Sequence, residues 1–333
     1  MHRRLGGAAI ALWLILAAAP LAAQVPGELN FGILSTESQQ NLKSRYGQFL
    51  ADMERGIGLK VNAFFASDYA GVVEAMRFGK VQVAVYGNAA AIAAVDRAGG
   101  EVFGKTLEAD GSDGYYSVIV VHKDSPIRDF EDLRQSPGKY TFSNGDPNST
   151  SGFLVPSYYA WALNNIDIRR QFTRVVSANH EANALAVANR QVDLATCNTE
   201  ALRRLASNNP AKYAELRVIW TSPLIPLNPV VWRTDVPAEL KSKLQAFLFD
   251  YGIARPDKPE TRLAHEQATL AQMASGGFRP STNKQLIPLR EIGLFRDRMA
   301  VEGENISAEA KAAKLRDIDA KLKQLQRDAN IGS

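Results

Sequence analysis

Short apolar runs alternate along the chain with longer segments whose apolar residues recur every three or four positions. Runs of the first kind are typical of buried strands, and segments of the second kind are typical of helices with one apolar face. In the first helical segment the recurring residues are Leu42, Tyr46, Phe49, Leu50 and Met53. The strands predicted for this part of the chain are 29–34, 61–65, 81–86 and 116–121, and further helices are predicted near 71–78 and 89–98. The alternation predicts an α/β fold with a largely parallel sheet.

The alternation stops at the turn-forming residues 123–126 and then starts again. The strands predicted for this second part are 140–143, 174–176, 192–196, 217–220 and 230–233, and helices are predicted around 158–163, at 187–190 and at 237–251. The pattern predicts two α/β lobes with two crossovers between them. Their expected bounds are 24–123 and 221–304 for lobe I, and 124–220 for lobe II.

The first residues have the composition of a secretory signal peptide. Arg3 and Arg4 precede an apolar run over 8–19, and small residues follow around Ala23. This three-part pattern predicts a signal peptide over 1–23. The apolar run is shorter than the roughly 20 residues that a membrane span needs, so an anchor is disfavoured. We therefore expect a soluble, exported mature protein.

The last segment, 305–333, is predicted to form a C-terminal helix that begins at Ser307. Its apolar residues are spaced by three, four and three positions: Leu315, Ile318, Leu322 and Leu325. Such a stripe suits either a short coiled coil, and so a homodimer through this helix, or packing on the helix's own lobe. Both alternatives stay open, because two heptads alone are only marginally stable.

Composition excludes several classes of protein. A content of 46% hydrophobic and 22% charged residues is that of a globular chain rather than a disordered one. The 39 Lys and Arg residues against 35 Asp and Glu residues give a formal net charge of +4. No basic run accompanies this small excess, so no nucleic-acid partner is predicted. The single cysteine, Cys197, excludes an internal disulfide and a Cys-based zinc site, and we expect it to be a small buried residue.

The most informative run is the polar segment 144–152. Three consecutive hydroxyl residues, Ser149, Thr150 and Ser151, follow a glycine-containing turn and precede a predicted helix. The unpaired N–H groups and partial positive charge at a helix start, together with hydroxyl donors, suit a phosphate-like or carboxylate anion. Plain helix capping by one hydroxyl group is the alternative. The run lacks the G-x-x-x-x-G-K pattern of a nucleotide-binding loop, and no cofactor or metal is predicted.

Residues 146–153, with the sequence DPNSTSGF, resemble the signature of the phosphonate-binding periplasmic proteins of ABC transporters. Further segments resemble the same family in the same order: 31–38, 64–71, 86–88, 110–115, 180–185 and 198–200. The likeness runs from about residue 29 to about residue 290. It implies a type II periplasmic binding fold, in which two α/β lobes are joined by a hinge of two crossovers and hold the ligand in the cleft between them.

The resemblance also implies which residues grip the phosphonate group: Ser149, Thr150, Ser151, Tyr69, Tyr115 and His180. Physical chemistry agrees, because tyrosine hydroxyls are neutral donors and a histidine can donate to an oxyanion whether or not it is charged. Taken alone, Tyr69 would more often be a half-buried packing residue and His180 a surface histidine.

The other end of the ligand is predicted to meet Glu200 and Asn228. Family members that take 2-aminoethylphosphonate hold its ammonium group with two acids, of which one matches Glu200 and the other, an aspartate, falls at Asn228. An amide accepts a hydrogen bond without cancelling charge, which lowers affinity about ten-fold. We therefore expect weaker binding of this compound, or a ligand with another tail, such as the alkyl group that Leu227 would favour. Asp193 is a candidate substitute acid, although its place ahead of a strand end looks structural.

The resemblance implies a periplasmic substrate-binding component of an ABC importer, which captures 2-aminoethylphosphonate or a related alkylphosphonate and delivers it to an inner-membrane permease. Two alternatives stay open: a binding protein for phosphate or phosphite, and a sensory protein that presents its ligand to a partner. An enzyme is not expected. A hydrolytic set of His180, Glu181 and Ser149 would lack the G-x-S-x-G and H-E-x-x-H patterns of hydrolases.

Overall fold

The structure, a computed structural model, describes residues 27–330, so the signal peptide predicted at 1–23 lies outside the described residues. Its strands are β1 (Glu28–Ile33), β2 (Lys60–Phe65), β3 (Val83–Val85), β4 (Gly100–Glu108), β5 (Gly114–Tyr115), β6 (Ser117–His122), β7 (Tyr140–Asn144), β8 (Phe172–Ser177), β9 (Leu194–Asn198), β10 (Leu216–Thr221), β11 (Ile225–Pro226), β12 (Pro229–Arg233) and β13 (Ser275–Pro280). Its α-helices are α1 (Gln39–Ile57), α2 (Tyr69–Arg77), α3 (Asn88–Arg97), α4 (Phe130–Arg134), α5 (Ile168–Gln171), α6 (His180–Ala188), α7 (Thr199–Asn208), α8 (Pro210–Tyr213), α9 (Ala238–Asp250), α10 (Glu260–Gln272), α11 (Ile287–Gly303) and α12 (Ala308–Asn330). Other helical turns occupy Thr150–Leu154, Ser157–Trp161, Ala162–Asn164 and Asn283–Leu286.

The first sheet has six strands in the order β13-β4-β12-β3-β1-β2. β1 is parallel to β2 and β3, whereas β12 is antiparallel to both of its neighbours. On one face Phe49 of α1 contacts Phe31, Phe247 and Tyr251, at ring-centroid distances of 6.2, 5.8 and 5.4 Å. On the other face α2 and α3 bury their small apolar side chains. The sheet is therefore covered on both faces, as an α/β fold requires.

The second sheet has five strands in the order β10-β6-β9-β7-β8. β7 is parallel to β8 and β9, whereas β6 is antiparallel to β9 and β10. The α/β class is confirmed, but the prediction of a largely parallel sheet is wrong for both sheets. Strands that enter a sheet after a crossover, such as β6 and β12, run opposite to their neighbours, and hydrophobic periodicity carries no information about strand direction.

Two crossovers join the sheets, at 109–116 and at 222–228. Within them β5 pairs antiparallel with β11, with Tyr115 opposite Ile225. A side chain at Gly114 would lie 2.2 Å from the carbonyl oxygen of Ile225, so this close pairing requires glycine. The short β5–β11 ribbon is thus the direct connection between the two lobes.

The first crossover lies ahead of the lobe bound predicted at residue 123. β6 pairs with β9 and β10, and so belongs to the second sheet. Its apolar residues would suit either sheet, so the hydrophobic pattern alone misplaces the crossover. The other expected bounds of the lobes stay predictions.

β4 has no counterpart among the predicted strands. Its sequence, GEVFGKTLE, interrupts the apolar positions with glycine and charged residues, and pairing with β12 and β13 on its two sides stabilises it. The helix predicted around 158–163 is instead a π-helical turn followed by a 3-10 turn. Pro156 precedes these turns, and its missing N–H and bulky ring disfavour a regular α-helix there.

The predicted C-terminal helix is confirmed by α12, whose first turn is capped by the Ser307 hydroxyl. α12 packs on α11 of the same chain, where Arg298 forms an ion pair with Asp319 and Ile318 is only 7% exposed. This contact matches the alternative of packing within the chain, and a homodimer through α12 stays a prediction. Between residues 27 and 330, no helix combines the length and apolarity needed to cross a membrane.

Candidate ligand-binding site

A cavity lies between the two sheets, where several helices begin. All the residues predicted to bind the ligand line it: Tyr69, Tyr115, Ser149, Thr150, Ser151, His180, Glu200 and Asn228. Other polar residues that sequence analysis did not single out line it too, among them Thr36, Arg45, Glu108, Asn198 and Arg204. The cavity therefore unites side chains from both sheets and from both crossovers.

The three hydroxyl residues follow β7 in a tight turn. Gly145 approaches Gly152 so closely that a side chain on Gly145 would lie 2.4 Å from the Gly152 Cα. Ser149 caps the helical turn that follows, its Oγ accepting a 2.9 Å hydrogen bond from the Gly152 N–H. The capping alternative thus holds for Ser149, which also faces the cavity together with Thr150 and Ser151. The local sequence therefore shapes this wall of the cavity.

Contacts from the first lobe also hold this hydroxyl turn. Thr150 Oγ1 accepts a 2.8 Å hydrogen bond from the backbone N–H of Ala89, which lies at the start of α3. The backbone N–H of Tyr69, at the start of α2, donates to Asp146 Oδ2 at 3.1 Å. Both bonds cross the cleft, so the turn has a fixed position relative to both lobes.

His180 is the first residue of α6 and is almost fully buried. Its Nε2 lies 3.4 Å from the hydroxyl oxygens of Ser149 and Ser151, and 3.3 Å from Nδ2 of Asn198. Its buried Nδ1 has no hydrogen-bond partner among the residues that the structure describes. Burial, with the nearby Arg204 charge as a smaller cause, lowers the pKa of His180 to about 3. The imidazole is therefore neutral near pH 7.

The two tyrosines are 3% and 2% exposed, at Tyr69 and Tyr115 respectively. Burial is the main cause that raises the pKa of both phenols, and a neighbouring carboxylate adds to it: Asp146 beside Tyr69 and Glu200 beside Tyr115. Both hydroxyls stay protonated over the physiological range. Together with the serine and threonine hydroxyls, they make this end of the cavity a set of uncharged donors.

Four longer helices begin at the cavity wall. α2 begins at Tyr69 and α6 at His180, whereas α3 and α7 follow the lining residues Gly87 and Asn198. Their first N–H groups and partial positive charges favour an anion at this end of the cavity. Sequence analysis singled out only the hydroxyl turn, although capping residues such as Asp68 ahead of predicted helices were a usable signal for the other starts.

The opposite end of the cavity is acidic. Asn228 Nδ2 donates a 2.9 Å hydrogen bond to Glu200 Oε1. Glu108, the last residue of β4, is 6% exposed and lies within hydrogen-bonding reach of Glu200. Burial and the neighbouring Glu200 raise the pKa of Glu108 to about 8, against an ion pair with Arg203 that lowers it. Arg203 also binds the exposed Asp110 at 2.8 Å. Sequence analysis missed Glu108, because it predicts no strand there.

Three other residues that the sequence suggested near the ligand do not belong to the candidate site. Asp193 accepts hydrogen bonds of 2.7 Å from both the backbone N–H and the hydroxyl of Thr141, and is not among the lining residues. Leu227 is buried, but it too is absent from the cavity wall. Cys197 is buried, and burial raises its thiol pKa to about 12, as expected for an inert packing residue. No group of three or more His, Cys, Asp or Glu in the described residues is arranged to hold a metal.

Ionic and polar contacts close the cleft beside the cavity. Glu181 accepts hydrogen bonds of 2.6 Å from the backbone N–H of Ser38 and from Asn41 Nδ2, at the start of α1. Arg204 of α7 forms an ion pair with Glu37 across the cleft, and both side chains are largely buried. Glu181 is therefore a contact between the lobes and faces α1, which removes it from any hydrolytic set with its neighbour His180.

The sequence and fold of this chain match proteins of one transport family. A family model described as "ABC transporter, phosphonate, periplasmic substrate-binding protein" matches residues 31–286. The phosphonates-binding periplasmic protein of Escherichia coli K12 is 51% identical over 300 residues, which cover 90% of this chain and 86% of that protein.

Solved structures agree. The binding-protein component of an ABC phosphonate transporter from Pseudomonas aeruginosa superposes with a TM-score of 0.86 at 48% identity, over 90% of this chain and 97% of that one. A Prochlorococcus marinus protein solved with methylphosphonate shares the fold, with a TM-score of 0.70 at 20% identity, over 81% of this chain and 98% of that one. The type II periplasmic binding fold with two lobes is thereby confirmed. The chain belongs to the family of periplasmic substrate-binding proteins of ABC phosphonate transporters, which bind a substrate for import and are not enzymes.

Proposed function

We propose that this chain binds 2-aminoethylphosphonate, or a phosphonate with a similar cationic tail, and delivers it to the inner-membrane permease of its transporter. In this proposal residues 1–23 direct the chain to the periplasm and are then removed. One observation carries the proposal: the same cavity has uncharged donors and helix starts at one end, and carboxyl groups at the other.

The phosphonate group would lie among the neutral donors of the cavity: Ser149, Thr150, Ser151, Tyr69, Tyr115 and His180. Buried hydroxyl and N–H donors can satisfy all three oxygens of an anion without an ion pair to a lysine or arginine side chain. The four helix starts add partial positive charge that stays fixed whether or not a ligand is bound. Neutral donors of this kind make an anion fit here without a bound metal.

The tail of the ligand would point toward Glu200, which Asn228 orients by its hydrogen bond. A tail with an ammonium group would meet a carboxylate at this end, whereas an acidic tail would be repelled. Phosphate and phosphite have no tail, so they would leave the negative charge of Glu108 and Glu200 balanced only in part, by Arg203, which is costly in a low-dielectric site. The acidic end therefore favours a cationic tail over the smaller anions.

Closure of the cleft would be part of recognition. The contacts that join the lobes include the hydrogen bond from the Ala89 N–H to Thr150 and the hydrogen bond from the Ser38 N–H, at the start of α1, to Glu181. A ligand that touches both lobes stabilises this closed form by its differential contacts. The closed form would then be the one that the permease receives.

Titration calorimetry on the mature chain, residues 24–333, tests the proposal with four ligands in separate runs. We expect 2-aminoethylphosphonate to bind most tightly, ethylphosphonate and methylphosphonate to bind less tightly, and inorganic phosphate to bind weakest. Tightest binding of phosphate would favour the alternative of a phosphate-binding protein. The absence of heat and of thermal stabilisation with all four ligands would contradict the phosphonate assignment.

A genetic experiment separates transport from sensing. Deletion of the gene should abolish growth on 2-aminoethylphosphonate as the sole phosphorus source, and a plasmid copy should restore it. Unchanged growth after deletion, together with tight binding in vitro, would favour the sensory alternative.

A further inference from the structure

We propose that Glu108 is a specificity residue of this cleft. Glu108 and Glu200 form a carboxyl pair that binds the cationic tail of the ligand, and in the empty cleft the two carboxyl groups hold a proton instead of the tail. The inference rests on the proposed function, because it concerns the tail of a ligand whose phosphonate group lies at the hydroxyl turn.

The two carboxyl groups come from different lobes. Glu108 ends β4 of the six-stranded sheet, and Glu200 lies in the first turn of α7, which follows β9 of the five-stranded sheet. Both line the cavity, and Arg203, which follows Glu200 by three residues on α7, forms an ion pair with Glu108, so the two carboxyl groups lie close together. Two carboxylates at such a distance cannot both stay ionised without a cation or a proton between them. The pair is therefore a place for a single positive charge.

The charged groups around the carboxyl pair do not neutralise it fully. Arg203 binds Glu108 from the outer side, but the exposed Asp110 shares its charge. Arg204, which also lines the cavity, forms its ion pair with Glu37, and its charge acts on Glu200 only as a smaller effect. Glu108, Glu200 and Arg203 together carry one net negative charge when both acids are ionised, and one proton or one ammonium group makes the set neutral.

A second charged set borders the cavity and carries the opposite imbalance. Arg45 and Arg204 both bind the single carboxylate of Glu37, and this set therefore has one net positive charge. The titratable groups that remain along the wall are neutral near pH 7, since burial keeps the Tyr115 phenol protonated and the His180 imidazole uncharged. The cavity is thus bordered by one positive set around Glu37 and one negative set around Glu108, and a zwitterion with an anionic head and a cationic tail complements both.

Asn228 fits this arrangement better than an aspartate would. Its amide donates to Glu200, whereas an aspartate would add a third carboxylate beside an existing pair. The second acid of the tail site therefore comes from β4 in this chain, and the amide at 228 keeps Glu200 in place. The weak binding of 2-aminoethylphosphonate that Asn228 alone predicts is not expected once Glu108 is included.

Calorimetry with 2-aminoethylphosphonate and ethylphosphonate, which differ only in the amino group, tests the inference. For the variant Glu108→Gln we expect about a ten-fold loss of affinity for the amino compound, because a charge-assisted bond becomes a neutral one. Affinity for ethylphosphonate should stay within about two-fold of the wild-type value or rise, because the variant removes a buried charge that this ligand cannot balance. Glu101→Gln, on the same strand but outside the cavity, is the matched control and should change neither affinity.

Proton release gives a readout that a merely structural role would not change. In buffers of different ionisation enthalpy at pH 7, binding of the amino compound should release up to about one proton more from the wild-type protein than from Glu108→Gln, whereas ethylphosphonate should release the same number from both proteins. Retained binding of ethylphosphonate by the variant shows that it is folded.

Two outcomes would overturn the inference: equal loss of affinity for both ligands in Glu108→Gln, or release of the same number of protons by the wild-type protein and by Glu108→Gln when each binds the amino compound. Failure of the proposed function has a different signature, because then neither phosphonate binds to the wild-type chain.

Discussion

The side-chain amide of Asn228 lies 2.9 Å from Oε1 of Glu200 and donates a hydrogen bond to it, from a crossover to the first turn of α7. An amide can give this bond and an ionised aspartate cannot. The relationship ties the orientation of Glu200 to the position of the crossover, so residue 228 acts on the tail site through its neighbour.

Replacing Asn228 by aspartate, N228D, should destabilise the ligand-free protein by about 1–3 kcal/mol at pH 8, because a buried donor is lost and a like charge is added. The added repulsion raises the pKa of the carboxyl groups above their unfolded values, so stability is retained near pH 4 and lost as the pH rises. Thermal unfolding at pH 5 and pH 8 measures the effect. Asn228→Ala removes the donor without adding charge, and an equal dependence on pH in both variants would contradict this account.

Loss of the Thr150 hydroxyl in Thr150→Val should weaken all phosphonates alike, by about 1.5–3 kcal/mol, because the anion loses a donor and the Ala89 N–H loses its acceptor. Calorimetry with ethylphosphonate and 2-aminoethylphosphonate measures it. Thr141→Val is the control, since Thr141 lies on the preceding strand and bonds Asp193 outside the cavity. A loss confined to one of the two ligands would be inconsistent with a contact at the phosphonate group.

The buried His180 should make the ligand-free protein sensitive to mild acid. Its pKa is lowered from the ordinary 6.5 to about 3 on folding, so its contribution to stability is present above pH 6.5 and is lost as the pH falls toward 3. Between pH 7.5 and pH 5 the wild type should lose about 2 kcal/mol more than the variant His180→Gln. Urea unfolding at the two pH values checks this, and parallel losses in the two proteins would show that His180 is not the group responsible.

The hydrogen bonds between Glu181 and the start of α1 should stabilise the closed form of the cleft rather than contact the ligand directly. In Glu181→Gln we expect all phosphonates to bind a few-fold more weakly and to dissociate faster, because the closed form loses charge-assisted hydrogen bonds of about 1 kcal/mol in total. Stopped-flow measurement of dissociation shows the effect. Glu131→Gln, on an exposed helix away from the cleft, should leave dissociation unchanged, and a wild-type rate in Glu181→Gln would contradict the role in closure.

A homodimer through α12 can be tested by removing that helix. If the dimer forms, the mature chain ending at residue 304 should sediment as a monomer and the full mature chain as a dimer. Masses that differ only by the removed residues would instead favour packing within the chain, as in the contact between Arg298 and Asp319.

The cavity-lining residues that the sequence brings out most clearly are those whose chemistry is local. Ser149, Thr150 and Ser151 are consecutive, and the sequence pattern itself predicts a glycine-containing turn ahead of a helix start. Glu108 is different on two counts. Its strand is held by partners on both sides rather than by its own apolar pattern, and its neighbour Glu200 belongs to the other lobe. Such a pair depends on how the two lobes meet, and no periodicity in either segment contains it.

The short β5–β11 ribbon has a consequence for the timing of transport. Tyr115 is one of the two residues of β5, and it also lines the cavity. In the proposed function, the ligand would therefore contact the ribbon that connects the lobes directly, with no intervening layer of side chains. Any substitution of Tyr115 should therefore alter the lifetime of the complex and the rate at which the cleft opens together. At this position the affinity for the ligand and the rate of its release cannot be changed independently.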